Sequence, residues 1–547
     1  MTRILIYESA ATLLALAIAL LRPRLGERWV GRAEGEIRGI ARRRGRAVAL
    51  VGLLSFGGSA AIALLWGLPV PAIHDEFSYL LAADTFASGR LTNPPHPLWV
   101  HFESIHILQQ PTYASKYPPG QGLFLAVGQV LAGYPAVGVW LSVALACAGI
   151  TWMLQAWLPP TWALLGGLLA VVRLGLFSYW AQSYWGGAVA ALGGALLFGA
   201  LPRLVRRPRI WEALLLGLGL ALIANSRPYE GLLVSLPAGA VLLHGLWGAP
   251  ARVALRRVVL PLGLVLALTA GAMAYYNDRV TGDPLRLPYQ VHEATYAIAP
   301  AFLWQRVRPE PAYHHQVLRE YYRSKAFKYM RQRSFTGLVA VKAKQLGVAW
   351  GFYLGPLLTV PLLMLPWTLK NRWMRVALLT CGVLAVGLLA ETWMNPHYAA
   401  PITAMLYVIV LQSMRHLRVW RSRGRPAGRF LVWAILGLCV VLAPQMRIKP
   451  RAESRAAGLQ RERIVEQLEE AGKRHLVIVR YWPWRSPHWQ WVYNAADIDG
   501  AKVVWAREMD AARNRELLAY FKDRRAWLLE ADADPPRLTP YRIESDL

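Results

Sequence analysis

Six short polar stretches interrupt or border long apolar runs, and their residue types suit chemistry better than turn formation. The first is "AIHDEFSYLLAADTFASGR" (72–90), in which Asp75 and Glu76 follow an apolar run over 47–71. Read as a helix ending near Gly89, it puts Asp75 and Tyr79 on one face and turns Asp75 and Glu76 about 100° apart. One carboxylate can therefore enter a cavity as a proton acceptor while the other binds elsewhere. Acids in a first helical turn also complement the helix dipole without any catalytic role. The other stretches are "HFESIH" (101–106), "YASKYPPGQG" (113–122), "SYWGG" (183–187), "NSRPYEG" (225–231) and "NPHYAAP" (395–401). They carry Lys116, Tyr117, Arg227, Glu230, His397 and Tyr398 where charge is costly unless a cavity or a partner receives it. We read them as one site.

Other candidates are weaker. His74, His101, Glu103, His106 and His397 could hold zinc or manganese, but no ligand-like spacing supports a required cofactor, and a divalent ion stays an open alternative. The aromatics of "FSYWAQSYWGG" (177–187) read as an interfacial belt before they read as a sugar platform. Arg173 and Glu391 lie in or at the end of apolar segments and need partners; they could pair with each other, or Arg173 could meet a phosphate. Cys147, Cys381 and Cys439 read as small core residues. No phosphate-cradling glycine loop or Ser-His-Asp order is present.

The elements that must position these groups follow from composition. Of 547 residues 55% are hydrophobic and 17% charged, with 24 Trp, which excludes an ordinary soluble domain. Twelve apolar segments appear at 4–21, 47–71, 137–157, 161–179, 187–202, 210–224, 231–247, 258–276, 346–366, 375–391, 398–414 and 430–446. Arg and Lys burst between them at 22–46, 203–209, 251–257, 370–375 and 415–429, which sets those loops on the cytoplasmic side. Every polar stretch, the long loop 277–345 and the tail then fall on the outer side. The segment 4–21, carrying Glu8, is the least secure span, and 22–46 reads as an Arg-rich helix on the inner leaflet. Phe77, Leu80, Leu81 and Phe86 give the 72–90 helix an apolar, interfacial face.

After residue 446 the pattern changes. "RERIVEQLEEAGKRH" and "NRELLAYFKDR" have helical periodicity, while "LVIVRY", "AKVVWARE" and "AWLLEA" read as strands, so 447–547 predicts a small soluble α/β domain. Its "RYWPWRSPHWQWVYNAADID" mixes aromatics with Arg, but 19 Lys/Arg nearly balance 16 Asp/Glu, and an outer location argues against nucleic acid. The expected fold is an all-α polytopic membrane protein of about 11–13 transmembrane helices (1–446), with interfacial helices in the first outer loop (72–119), plus that C-terminal domain.

The acidic pair opening the first outer loop and the Lys-x-Pro-Pro-like element closing it ("KYPPGQG", Lys116–Gly122) resemble the GT-C superfamily of polytopic glycosyltransferases. The resemblance is greatest to the protein mannosyltransferase-like and lipid A aminoarabinose transferase-like branches. It covers about the first 130 residues in motif and the rest only in architecture. Tyr117 departs from the pattern by standing between the lysine and the prolines. The resemblance implies transfer of a sugar from a polyprenyl-phosphate donor to an extracytoplasmic hydroxyl of a glycan, lipid or protein, at a bacterial plasma membrane. The first-loop acids, Asp75 and Glu76, would be catalytic, with Asp75 as base and Lys116 near the donor. Physical reasoning adds Arg227 as a second cation for the phosphate and Tyr79, Tyr117, Glu230, His397 and Tyr398 as substrate contacts. A transporter or flippase of lipid-linked saccharides is the alternative, although such proteins tend to place ionisable groups at broken helices near the midplane.

Overall fold

In a computed structural model, which describes residues 2–422, 424–446, 452–482 and 490–542, each apolar segment is helical over most of its length. The chain runs α1 (Thr2–Leu21), α2 (Glu27–Ala41), α3 (Arg44–Trp66), α4 (His74–Ala87), α5 (Pro119–Ala132), α6 (Pro135–Trp157), α7 (Pro160–Ala170), α8 (Ala188–Arg206), α9 (Ile210–Ala224) and α10 (Pro228–Leu246). It continues through α11 (Ala251–Ala254), α12 (Leu260–Thr281), α13 (Pro288–Tyr296), α14 (Gln316–Arg331), α15 (Phe335–Tyr353), α16 (Gly355–Thr359), α17 (Leu365–Thr368), α18 (Arg372–Ala390), α19 (Thr403–Arg418) and α20 (Ala427–Leu442). Proline opens α5, α6, α7, α10 and α13, where its missing N–H has no partner to lose.

Among the described residues nine helices are long and apolar enough to cross a membrane, and a bent pair makes ten. Pro160–Leu176 and Ile210–Ala224 are shorter apolar helices. The chain is a multi-pass membrane protein. The segment expected over 346–366 is not straight: its helix starts at Phe335 and turns by 86° between Tyr353 and Gly355. Gly355 has φ +58°, and Pro356, Pro361 and Pro366 remove successive N–H donors, so the helix cannot run on in line.

The alternation of loops is visible in contacts. At one end Glu34 of α2 accepts from Arg418 (3.0 Å), Arg429 (3.0 Å) and Trp433 Nε1 (3.1 Å), joining the Arg-rich loops 22–46 and 415–429. At the other end Gly120 N–H donates to Asn225 O (2.8 Å), Tyr184 N–H to Glu76 (3.1 Å), and Arg227 lies over Tyr398. The polar stretches therefore do meet.

That end carries two further layers. The long loop contributes α13 and α14, and the first loop a short hairpin, β1 (Ile107–Leu108) with β2 (Ala114–Ser115). The C-terminal residues add α21 (Ala452–Glu470), α22 (Ala511–Tyr520) and a sheet of β3 (His475–Arg480), β4 (Val503–Arg507), β5 (Arg525–Glu530) and β6 (Arg537–Pro540) in the order β4-β3-β5-β6. β3 is central, parallel to both neighbours and almost wholly buried, as its unbroken apolar run requires; β6 is an antiparallel edge the sequence reading lacks. Residues 483–489 of the Trp/Arg-rich stretch lie outside the described residues. The expected apolar face of α4 is covered by protein: Phe77 stacks flat on Tyr493 at 4.1 Å, and Leu81 packs in a core with Phe102, Ile478 and Tyr493.

Candidate active site

α4 begins at His74 because the Glu76 carboxylate folds back onto the preceding backbone. Its Oε2 accepts from Ala72 N–H (2.8 Å) and Ile73 N–H (3.2 Å), and its Oε1 from Tyr184 N–H. Burial raises its pKa to about 7 against the lowering effect of those donors. Glu76, expected as a second catalytic acid, is thus a helix cap that fastens α4 to the 183–187 loop. Asp75, half-buried, accepts the Tyr117 hydroxyl on Oδ1, and among the described residues its Oδ2 carries no hydrogen bond. Tyr79 lies one turn on and stacks on Tyr117 with ring centroids 4.6 Å apart, so the shared face of Asp75 and Tyr79 is real.

Lys116 is buried (4% exposed), with Nζ 3.9 Å from Glu293 Oε1 of α13 and within 5.3 Å and 4.9 Å of the Tyr117 and Tyr289 ring centroids. Burial holds its pKa below the usual lysine value, with Glu293 and Asp75 opposing. Burial also raises the Glu293 carboxyl, which Lys116 counteracts. Lys325 of α14 belongs to the same group: Asp75, Lys116 and Glu293 all act on it. Sequence reasoning missed Glu293 and Lys325, because charges in so long a loop carry no topological meaning. A signal did exist, since Tyr321, Lys325 and Tyr329 recur at four-residue spacing on one face of α14.

Arg227 caps α10, 3.8 Å from Glu230 and with its guanidinium 4.2 Å from the Tyr398 ring centroid. It opens onto a narrow crevice lined by Tyr79, Pro118, Gln121, Gly186, Ser226 and itself. His397 bonds Tyr179 OH through Nδ1 (3.0 Å), and its ring lies 4.7 Å from Trp185. The structure therefore brings together Asp75, Tyr79, Lys116, Tyr117, Arg227, Glu230, His397 and Tyr398.

Other candidates go elsewhere. His101 bonds Arg507 O (2.9 Å), and Glu103 accepts from Tyr296 (2.7 Å) and His314 (2.9 Å). Among the described residues no three or more His, Cys, Asp or Glu are grouped to hold a metal ion. Arg173 does not pair with Glu391: its Nη1 meets Glu8 of α1 at 2.8 Å. Of the aromatics at 177–187 expected to form a belt, Trp180 and Tyr184 are buried. Trp180 is 2% exposed and packs on Phe352 and Tyr353, because the bent α15–α16 pair covers it.

No family model matches the chain, and no curated protein does. Among solved structures the chain is similar to the oligosaccharyltransferase of Archaeoglobus fulgidus tethered to an acceptor peptide, with 11% identity and a TM-score of 0.47 over 89% of this chain and 69% of that one. It is also similar to ArnT of Cupriavidus metallidurans bound to undecaprenyl phosphate, with 13% identity and a TM-score of 0.47 over 91% of this chain and 96% of that one. Likenesses at this level decide nothing about the site.

Proposed function

We propose that this chain is a membrane glycosyltransferase that moves a sugar from a polyprenyl-phosphate donor to an acceptor hydroxyl on the extracytoplasmic face of a plasma membrane. One observation carries the reading: Asp75, a carboxylate with an open oxygen, bonds Tyr117, whose ring faces the Lys116 ammonium and stacks on Tyr79 of the Arg227 crevice. A hydroxyl attacking an anomeric carbon must lose a proton, and in this reading Asp75 Oδ2 takes it. Tyr117 holds the other oxygen, which fixes the carboxylate's rotation. The departing phosphate gains negative charge, and Lys116 and Arg227 stabilise it most in a site partly closed to water. Attack by a hydroxyl on the face opposite the phosphate inverts the anomeric centre. Tyr79, Tyr117, Tyr398 and His397 supply ring faces and edges for the sugar, with Glu230 holding Arg227.

The test is transfer of radiolabelled sugar from a panel of polyprenyl-phosphate sugars by purified wild type and Asp75→Asn in lipid. Transfer by wild type alone, with donor binding retained in the variant, supports the reading. Movement of labelled lipid across vesicles without transfer, unaffected by Asp75→Asn, would make the protein a transporter instead.

A further inference from the structure

α4 has 14 residues and follows Ile73, whose side chain cannot cap it, so Glu76 closes its first turn on the helix's own backbone. Local contacts of that kind cannot fix how α4 is turned relative to the rest of the molecule. The turn matters, because successive residues on a helix point about 100° apart. One such step about the axis would carry Glu76 to the place where Asp75 now meets Tyr117.

Two grips set the rotation. From the bundle, Tyr184 N–H donates to Glu76 (3.1 Å). From the C-terminal layer the grip is a single buried residue, Tyr493. Its hydroxyl and His74 Nδ1 are hydrogen-bonded at 2.8 Å, and its ring lies flat on that of Phe77, with centroids 4.1 Å apart and planes 2° apart. His74 and Phe77 are three residues apart on one face of α4, so the two contacts oppose rotation either way. With that face held, Asp75 and Tyr79 point away from it, where Tyr117 meets both.

Tyr493 is itself anchored. It lies in the irregular strip 490–496, where Asn494 pairs with β4, donating through Nδ2 to Trp505 O (2.8 Å) and accepting from Trp505 N–H (2.8 Å). Arg461 of α21 donates to Trp491 O (3.2 Å) and Tyr493 O (2.8 Å), and its guanidinium lies 5.2 Å from the Phe77 ring centroid. Near the other end of α4, Asp84 accepts from Ala496 N–H (2.7 Å). The sheet holds the strip, and the strip holds α4 at both ends.

From this geometry we infer that Tyr493 is a positioning residue of the site: through it the C-terminal layer sets the rotation of α4 that turns Asp75, and not Glu76, toward Tyr117. The effect on sugar transfer rests on the glycosyltransferase reading; the rotation does not.

The test therefore has one readout that needs no activity. The full chain in lipid nanodiscs is treated with a water-soluble carbodiimide and glycinamide, and the labelling of Asp75 relative to Glu76 is read by peptide mass spectrometry. Tyr493→Phe keeps the stack on Phe77 and gives up the hydrogen bond to His74; Tyr493→Leu gives up both. Asp499→Asn is the control, since it loosens another contact between the same layers, His96–Asp499 (3.2 Å), that does not involve α4. Thermal midpoints accompany each variant, and Phe77→Leu removes the stack from the α4 side if Tyr493→Leu does not fold. The expected labelling favours Asp75, which is half-buried, over the buried Glu76 in wild type, Tyr493→Phe and Asp499→Asn, and that preference drops severalfold in Tyr493→Leu. At saturating donor, kcat should fall about threefold to tenfold in Tyr493→Phe and on the order of 10²-fold in Tyr493→Leu, with the KM for donor unchanged and Asp499→Asn like wild type. A shifted preference in a chain that transfers no sugar keeps the rotation and removes the glycosyltransferase reading. A preference that Tyr493→Leu and Phe77→Leu leave as in wild type overturns the inference, and so does a shift of the same size in Asp499→Asn, which would make the contact one of docking alone.

Discussion

Tyr117 donates its hydroxyl to Asp75 Oδ1 across 42 residues of sequence, so the two ends of the first loop meet at the carboxylate. Asp75→Asn should lower transfer by about 10²–10⁴-fold, the usual worth of a positioned base, with donor affinity unchanged. Tyr117→Phe keeps the stack on Tyr79 and removes only the hydrogen bond, and should lower kcat by roughly tenfold. Initial rates with saturating donor check both. An Asp75→Asn enzyme as fast as wild type would rule this carboxylate out as the base.

Glu76 makes a pH prediction. Its folded pKa of about 7 lies above the ordinary 4.5, so between those values the folded protein keeps a proton that the unfolded chain releases. The stability contributed in this way is full below about pH 4.5 and lost as pH rises through 7. Glu76→Gln cannot ionise and lacks this slope. The thermal midpoint of wild type minus that of Glu76→Gln should therefore fall between about pH 5 and about pH 8. A difference that grows with pH would mean that the three N–H donors outweigh burial and hold Glu76 ionised.

Gly120 lets α5 touch the Arg227 crevice. A Cβ there would stand 2.6 Å from Asn225 O and 2.6 Å from Ser226 Oγ, so Gly120→Ala must push α5 away from the turn that joins α9 to α10. It should cost about 1–3 kcal/mol of stability and weaken donor binding. Gly239, within α10, meets nothing within 4 Å, and Gly239→Ala should be neutral or slightly stabilising. Thermal midpoints in detergent and donor titrations separate the two.

Much of the fold was legible because runs of about 18 apolar residues have few alternatives to a membrane helix, and Arg-rich loops then order the ends. The division of labour between Asp75 and Glu76 was half legible: helix geometry separates them, but the backbone N–H groups that claim Glu76 include Tyr184, 108 residues away. Lys325 and Glu293 were hidden for a related reason, since their loop meets the first loop only through tertiary packing. The bend at Gly355 did have a signal, the Gly355-Pro356 step with Pro361 and Pro366 after it, which a count of apolar residues passes over. That bend also buries Trp180, which is therefore no part of the expected belt.

The least secure span, α1, makes the last prediction. Glu8 and Arg173 are 2% and 1% exposed and pair at 2.8 Å, and Arg173 Nη2 also donates to Phe352 O (3.3 Å) just before the bend. A Cβ on Gly355 would lie 2.1 Å from Glu8 Oε2, so α1, the 171–176 turn and the bend are fitted to one another around this pair. Arg173→Met leaves an uncompensated buried carboxylate and should cost about 3–5 kcal/mol. Replacing both residues, Glu8→Leu with Arg173→Met, removes both charges and should recover most of that loss, because two apolar side chains need no partner. Thermal midpoints and monodispersity in detergent measure it. If Arg173→Met alone matches wild type, α1 is held by its lipid-facing and apolar contacts and the ion pair does not hold it in place.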